Sequence, residues 1–91
     1  MVRAAPNRTE ADCVVLEAPH PTDAGLLEFD VELAAAAPVA GYNDMLQSRV
    51  GQRITVRARP EWLPSLRVGE RVKLLLEMGG PNQPVQVRPP A

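Results

Sequence analysis

The sequence predicts a mainly β fold, a small antiparallel barrel of five strands with one short helix. Three observations predict it. The phrase Arg49-Val50-Gly51-Gln52-Arg53-Ile54 returns 18 positions later as Arg67-Val68-Gly69-Glu70-Arg71-Val72. A Gly followed by a polar residue, a cation and a β-branched residue reads as a tight turn feeding a strand. Residues 27–33, 53–59 and 71–78 alternate apolar and polar side chains, as strands with one dry and one wet face do. Ten prolines, about twice the usual share of about 5%, fall mostly between these runs and at the two ends.

Taken in order, residues 1–11 read as a flexible tail and 12–88 as one domain. Residues 13–18 form a first strand with Val14 and Leu16 on one side. The segment 19–25, Pro-His-Pro-Thr-Asp-Ala-Gly, is a turn. In 27–33, Leu27, Phe29, Val31 and Leu33 point one way and Glu28, Asp30 and Glu32 the other. Ala34 to Ala37 begin a helix that Pro38 stops. Asn43 is placed to cap a two-turn helix over 44–50, with Asp44 in its first turn, Arg49 in its last and Gly51 as its stop. In 53–59, Ile54, Val56 and Ala58 face the core. Pro60 opens a compact connection with a helical turn. In 71–78, Val72, Leu74, Leu76 and Met78 face in. Residues 79–84 have hairpin-loop composition, and Val85 and Val87 open a last strand that Pro89 and Pro90 end. Strands this short and evenly spaced suggest a closed barrel, which also removes aggregation-prone edges.

The repeated phrase has two readings, an internal duplication or two strands that need the same entry turn. Solenoids need longer repeats in several copies, so the second reading is preferred.

A chain of 91 residues makes one domain with a modest core and little material for a deep catalytic cleft. Net charge is −1, unevenly spread. Residues 1–50 carry three Arg against eight Asp or Glu, and 51–91 carry six Arg and one Lys against three Glu. The halves either attract each other within one fold or present two faces of opposite sign; the first is preferred, because small domains interleave their halves in one core. Cys13 is the single cysteine, so an internal disulfide is excluded. No run reaches the ~18 apolar residues of a spanning helix. The polar start carries no secretory h-region. A cytoplasmic protein that does not engage membranes is expected.

The residues that carry chemistry are few. His20 lies between two prolines, and with Cys13 it supplies two soft ligands where a structural zinc needs four. No third group orients a Cys13–His20 pair for nucleophilic catalysis, so Cys13 reads as a core thiol. Glu28, Asp30 and Glu32 are spaced to hold a hard cation, but also to pair across strands with Arg53, Arg57 or Arg71. No metal, cofactor or catalytic constellation is expected. Arg53, Arg57, Arg59, Arg67, Arg71 and Lys73 face out, with Trp62 between the two strands. Without the acidic strand beside them they form a cationic stripe with one stacking surface, suited to single-stranded nucleic acid. Trp62 also reads as a core plug. Leu75 is apolar on a charged face, and Tyr42, Met45 and Leu46 lie near the helix. Either set can mark a docking patch.

Residues 51–60, Gly-Gln-Arg-Ile-Thr-Val-Arg-Ala-Arg-Pro, and 66–74, Leu-Arg-Val-Gly-Glu-Arg-Val-Lys-Leu, resemble the closing strands of oligonucleotide/oligosaccharide-binding (OB) barrels. They look most like the TOBE module of some ABC importers, which shows a Gly-led strand, an Arg-Pro-Glu step and a Leu-x-x-Gly-Asp/Glu-x-Val turn. Arg59-Pro60-Glu61 and residues 66–72 match that style. The resemblance covers about 25 residues and is turn chemistry; no phosphate-binding Gly-rich loop accompanies it. It implies a small barrel and a small-oxyanion or ligand-binding role. The residues themselves favour a non-catalytic interaction module that engages a protein partner or its own copy through Arg53, Arg57, Arg59, Trp62, Arg71, Lys73 and Leu75. A single-stranded nucleic-acid binder using the same residues is the alternative.

Overall fold

The computed structural model describes residues 7–22, 24–42, 44, 46–79 and 83–89. The strands are β1 (Thr9–Val15), β2 (His20–Pro21), β3 (Leu27–Pro38), β4 (Arg53–Ala58), β5 (Arg71–Glu77) and β6 (Val85–Arg88). They form one sheet in the order β1-β5-β6-β4-β3-β2, and β1 also pairs with β3. That extra pairing closes β1, β3, β4, β6 and β5 into a five-stranded barrel and leaves β2 as a short strap on the start of β3. Every pairing is antiparallel except β4 with β6. The closed barrel is compatible with an OB-like architecture.

Alternation drives the closure. Phe29, Val31 and Leu33 from β3, Ile54, Val56 and Ala58 from β4, Leu74 and Leu76 from β5, and Val85 and Val87 from β6 are buried together. Each large member contributes about 1.5–3 kcal/mol of transfer free energy. Phe29 is the only aromatic in this cluster. The rest of the space is filled by leucines and by β-branched and small side chains, which suit a narrow barrel interior.

The two copies of the repeated phrase make the same clasp. Gly51 has φ +90° and Gly69 φ +85°, values that L side chains rarely adopt. The amide of Gln52 donates to Arg49 at 2.9 Å, and that of Glu70 to Arg67 at 3.0 Å. Val50, at φ −57° and ψ 131°, followed by Gly51, makes the first a type II turn. Gly51 N–H then donates to the Leu33 carbonyl at 2.7 Å, while Leu33 N–H donates back to Gln52 at 3.0 Å. Gly69 N–H donates to Val15 at 2.7 Å, and Val15 N–H to Glu70 at 2.9 Å. One corner fastens β4 to β3 and the other fastens β5 to β1. Both copies serve as strand-entry turns.

Four expectations change. The first strand runs from Thr9, not Cys13, so residues 9–11 belong to the barrel and not to a tail. Its buried residues are Thr9, Ala11, Cys13 and Val15, with Val14 and Leu16 half-buried. A shift of one residue reverses which side faces the core. The Ala34–Ala37 run extends β3 instead of starting a helix, because β1 supplies its backbone partners. Asp12 opposes Ala35 while Cys13 opposes Leu33, so Ala34 is the extra residue of a bulge that lets the long strand bend. The helix over 44–50 is reduced to one 3-10 turn at Gln47–Arg49. A second 3-10 turn, Pro60–Trp62, has Pro60 at its first position as expected. Among the described residues there is no α-helix. Asn43 as a cap and Met45 in a patch lie outside the described residues.

Two polar side chains tie loops to the barrel. Asn7 donates to the Met78 carbonyl at 2.9 Å and accepts from its amide at 2.7 Å, imitating a rung of the ladder. Asp44 Oδ1 accepts from Thr9 Oγ1 at 2.8 Å and from the Leu46 amide at 2.9 Å. These bonds hold Leu46, fully buried, in the core cluster.

Candidate functional site

The outer face of β5 alternates Arg71, Lys73, Leu75 and Glu77. Pairing places Glu10 of β1 opposite Leu75 on one side and Arg88 of β6 opposite it on the other. Leu75 is therefore the apolar centre of a charged row. The chain after β3 brings Val39 and Tyr42 to this face, and the turn after β4 brings Trp62 and Pro64. Together they frame a groove of about 660 Å³ over Leu75. That volume lies in the range of natural ligand pockets.

Guanidinium groups cover both aromatic walls. Arg8 Cζ lies 5.0 Å from the Tyr42 ring centre. Arg59 and Arg88 lie 5.2 Å and 5.6 Å from the Trp62 ring. These are cation–π distances, worth about 0.5–1 kcal/mol each at exposed sites. Lys73 Nζ pairs with Glu10 at 3.2 Å. Arg8 reaches Glu77 only at 4.0 Å. The Nε atoms of Arg8 and Arg88 are shielded from water and make no hydrogen bond. Among the described residues the one other such side-chain atom is Thr22 Oγ1. Both guanidiniums line the groove.

The neighbouring face, β3 with β4, is chemically closed. Glu28 opposes Arg57 in register, and one carboxylate oxygen accepts from Arg57 Nη2 at 2.7 Å and Nε at 3.2 Å. Asp30 accepts from Thr55 Oγ1 at 2.7 Å and Arg53 Nε at 2.6 Å. The Thr55 hydroxyl, then the Arg53 guanidinium, hold the Asp30 carboxyl below its ordinary range. Glu28 and Asp30 thus pair across strands, while Glu32 stands exposed opposite Arg53. Among the described residues no group of three or more His, Cys, Asp or Glu is placed to hold a metal.

The expected residues separate into three groups. Trp62, Lys73 and Leu75 line the groove, and Arg59 joins it through Trp62. Arg53 and Arg57 are engaged on the other face. Arg71 stands exposed at the start of β5, opposite Val14. Trp62 is half-buried at the groove wall, not a core plug, because its turn lies outside the barrel and the guanidiniums of Arg59 and Arg88 lie over it. Arg8, Tyr42 and Arg88 complete the site. Only Tyr42 carried a signal in the sequence, as an aromatic in a chain with three.

Cys13 is fully buried. Burial, with the adjacent Asp12 charge second, pushes its thiol up to about 12. It is a core thiol and not an activated nucleophile. His20 is exposed in β2, opposite Glu28. No helix among the described residues is long and apolar enough to cross a membrane.

Comparison with protein-family models, with curated proteins and with solved structures finds no match for this chain.

Proposed function

We propose that this barrel is a non-catalytic interaction module that holds a peptide segment of a protein partner in the groove over Leu75. The observation that carries the reading is the groove itself. Leu75 forms an apolar floor, and two of the chain's three aromatics, Tyr42 and Trp62, form its walls. Aromatic and Arg side chains around a partly buried apolar centre are the usual make-up of energetic hot spots.

The alternatives draw less support. Single-stranded nucleic acid would use the strand face typical of OB barrels, the β3–β4 face, but Arg53 and Arg57 already pair there with Asp30 and Glu28. A TOBE-like oxyanion site would be compact, whereas the groove has a volume of about 660 Å³, far more than a small oxyanion fills. The single buried thiol fits a reducing compartment, and we propose the cytoplasm.

Trp62 is the only tryptophan and lines the groove, so its emission reports occupancy. Selection of random displayed peptides against the immobilised protein is expected to enrich binders that change Trp62 emission and lose affinity for Leu75→Asp. Circular dichroism and a cooperative melt confirm that this variant folds. Enriched peptides that leave Trp62 emission unchanged and bind Leu75→Asp equally well would refute the proposal, as would a selection that enriches nothing.

A further inference from the structure

We infer that the segment held over Leu75 is acidic as well as apolar, with an Asp or Glu two positions from the apolar residue; this rests on the peptide-groove reading above. The charge inventory of the groove carries the inference. Glu10 is engaged by Lys73 at 3.2 Å. Arg8 meets its nearest carboxylate, Glu77, only at 4.0 Å. Among the described residues Arg88 forms no ion pair, and its guanidinium lies over the Trp62 ring. The Nε of each of these two arginines is shielded and unbonded. A carboxylate entering the groove pairs instead with the accessible part of the guanidinium, whose fork matches its two oxygens.

Geometry sets the spacing. Arg88 lies directly opposite Leu75 on the adjacent strand, about 5 Å away. In an extended peptide, side chains two positions apart share a face about 7 Å apart. A residue packed on Leu75 against Trp62 therefore puts its i±2 neighbour within side-chain reach of Arg88. On the other side Arg8 lies over Tyr42, available to a second acid. A nucleobase is a poorer occupant, because the guanidiniums of Arg59 and Arg88 already lie over the Trp62 ring it would stack on.

Peptides from the display selection, made again with each Asp and Glu replaced by Asn and Gln, test the inference by fluorescence titration of Trp62. The acidic forms are expected to bind about tenfold or more tightly than their amide twins, and to weaken as salt rises. Arg88→Gln is expected to abolish that difference, and Arg88→Lys to restore part of it. Groove binders, lost with Leu75→Asp, that carry no acid or bind equally well as amides would overturn the inference and leave the peptide-groove reading standing. Loss of all groove binding defeats both. Binding of oligothymidylate, or concentration-dependent dimerisation in sedimentation, that disappears in Leu75→Asp would assign the groove to that occupant and overturn the peptide.

Discussion

Alanine at Gly51 and Gly69 isolates the energy of the two corners. A Cβ built at either position meets nothing within 4 Å, so no packing clash enters. The cost is that of an L residue at φ +90° or +85°, about 1–2 kcal/mol. Alanine also stiffens the unfolded chain, which returns about 0.4–1 kcal/mol. Each single variant is expected to lose roughly 1 kcal/mol, or about 4–8 °C in Tm for a domain of this size. The two corners fasten different strand pairs and share no hydrogen bond, so the double variant should lose the sum to within about 0.5 kcal/mol. Urea denaturation followed by circular dichroism measures all three, with Val68→Ala, an exposed residue of the same turn, as control. The equivalence of the corners is refuted if one glycine is costly and the other free, or if the double variant departs from additivity by more than that margin.

Asp30→Asn removes the Arg53 ion pair and weakens the Thr55 hydrogen bond; about 1 kcal/mol is expected at neutral pH, Arg53 being largely exposed. Because the folded carboxyl titrates below the unfolded value of about 3.9, its contribution is present above that pH and lost as pH falls through the folded pKa. The wild-type advantage over Asp30→Asn should be flat from pH 7 to about pH 5 and shrink below about pH 4; an advantage that grows on acidification contradicts the assignment. Cys13, with its thiol pushed up to about 12, should not react with an aromatic disulfide reagent at pH 8 until denaturant is added. Stoichiometric labelling of the native protein within minutes would place it outside the core.

Alternation made 27–33, 53–58 and, Leu75 apart, 71–77 legible, because apolar residues alternate there with charged residues or Thr. It hid the start of β1, whose inward residues Thr9 and Ala11 are small or polar; only the outward Glu10 and Asp12 betray the period. The alanines after Leu33 favour a helix by intrinsic propensity, and a non-local partner, β1, overrides it. Leu46 reached the core through Asp44, which holds the loop by two hydrogen bonds from distant and near donors. Such a bond joins residues 35 apart in the chain, beyond any periodicity. Trp62, Lys73 and Leu75 were visible as outward or loop residues, but their meeting with Arg8 and Arg88 depends on which strands flank β5. That adjacency is a property of barrel closure and not of any local phrase.

The last stave of the barrel has the shortest seams. Among the described residues Val85 and Gln86 alone join β6 to β4, and three residue pairs join it to β5, whereas β1 and β3 share seven. Under native conditions this stave is the first expected to lift, exposing the amides of Val85 and Val87 to hydrogen exchange before those of β3. Arg88 rides on it. Whatever grips Arg88 and Leu75 together stitches the weakest seam shut, so occupancy and closure become one equilibrium, and slowed exchange along β6 would register a bound guest without any tag.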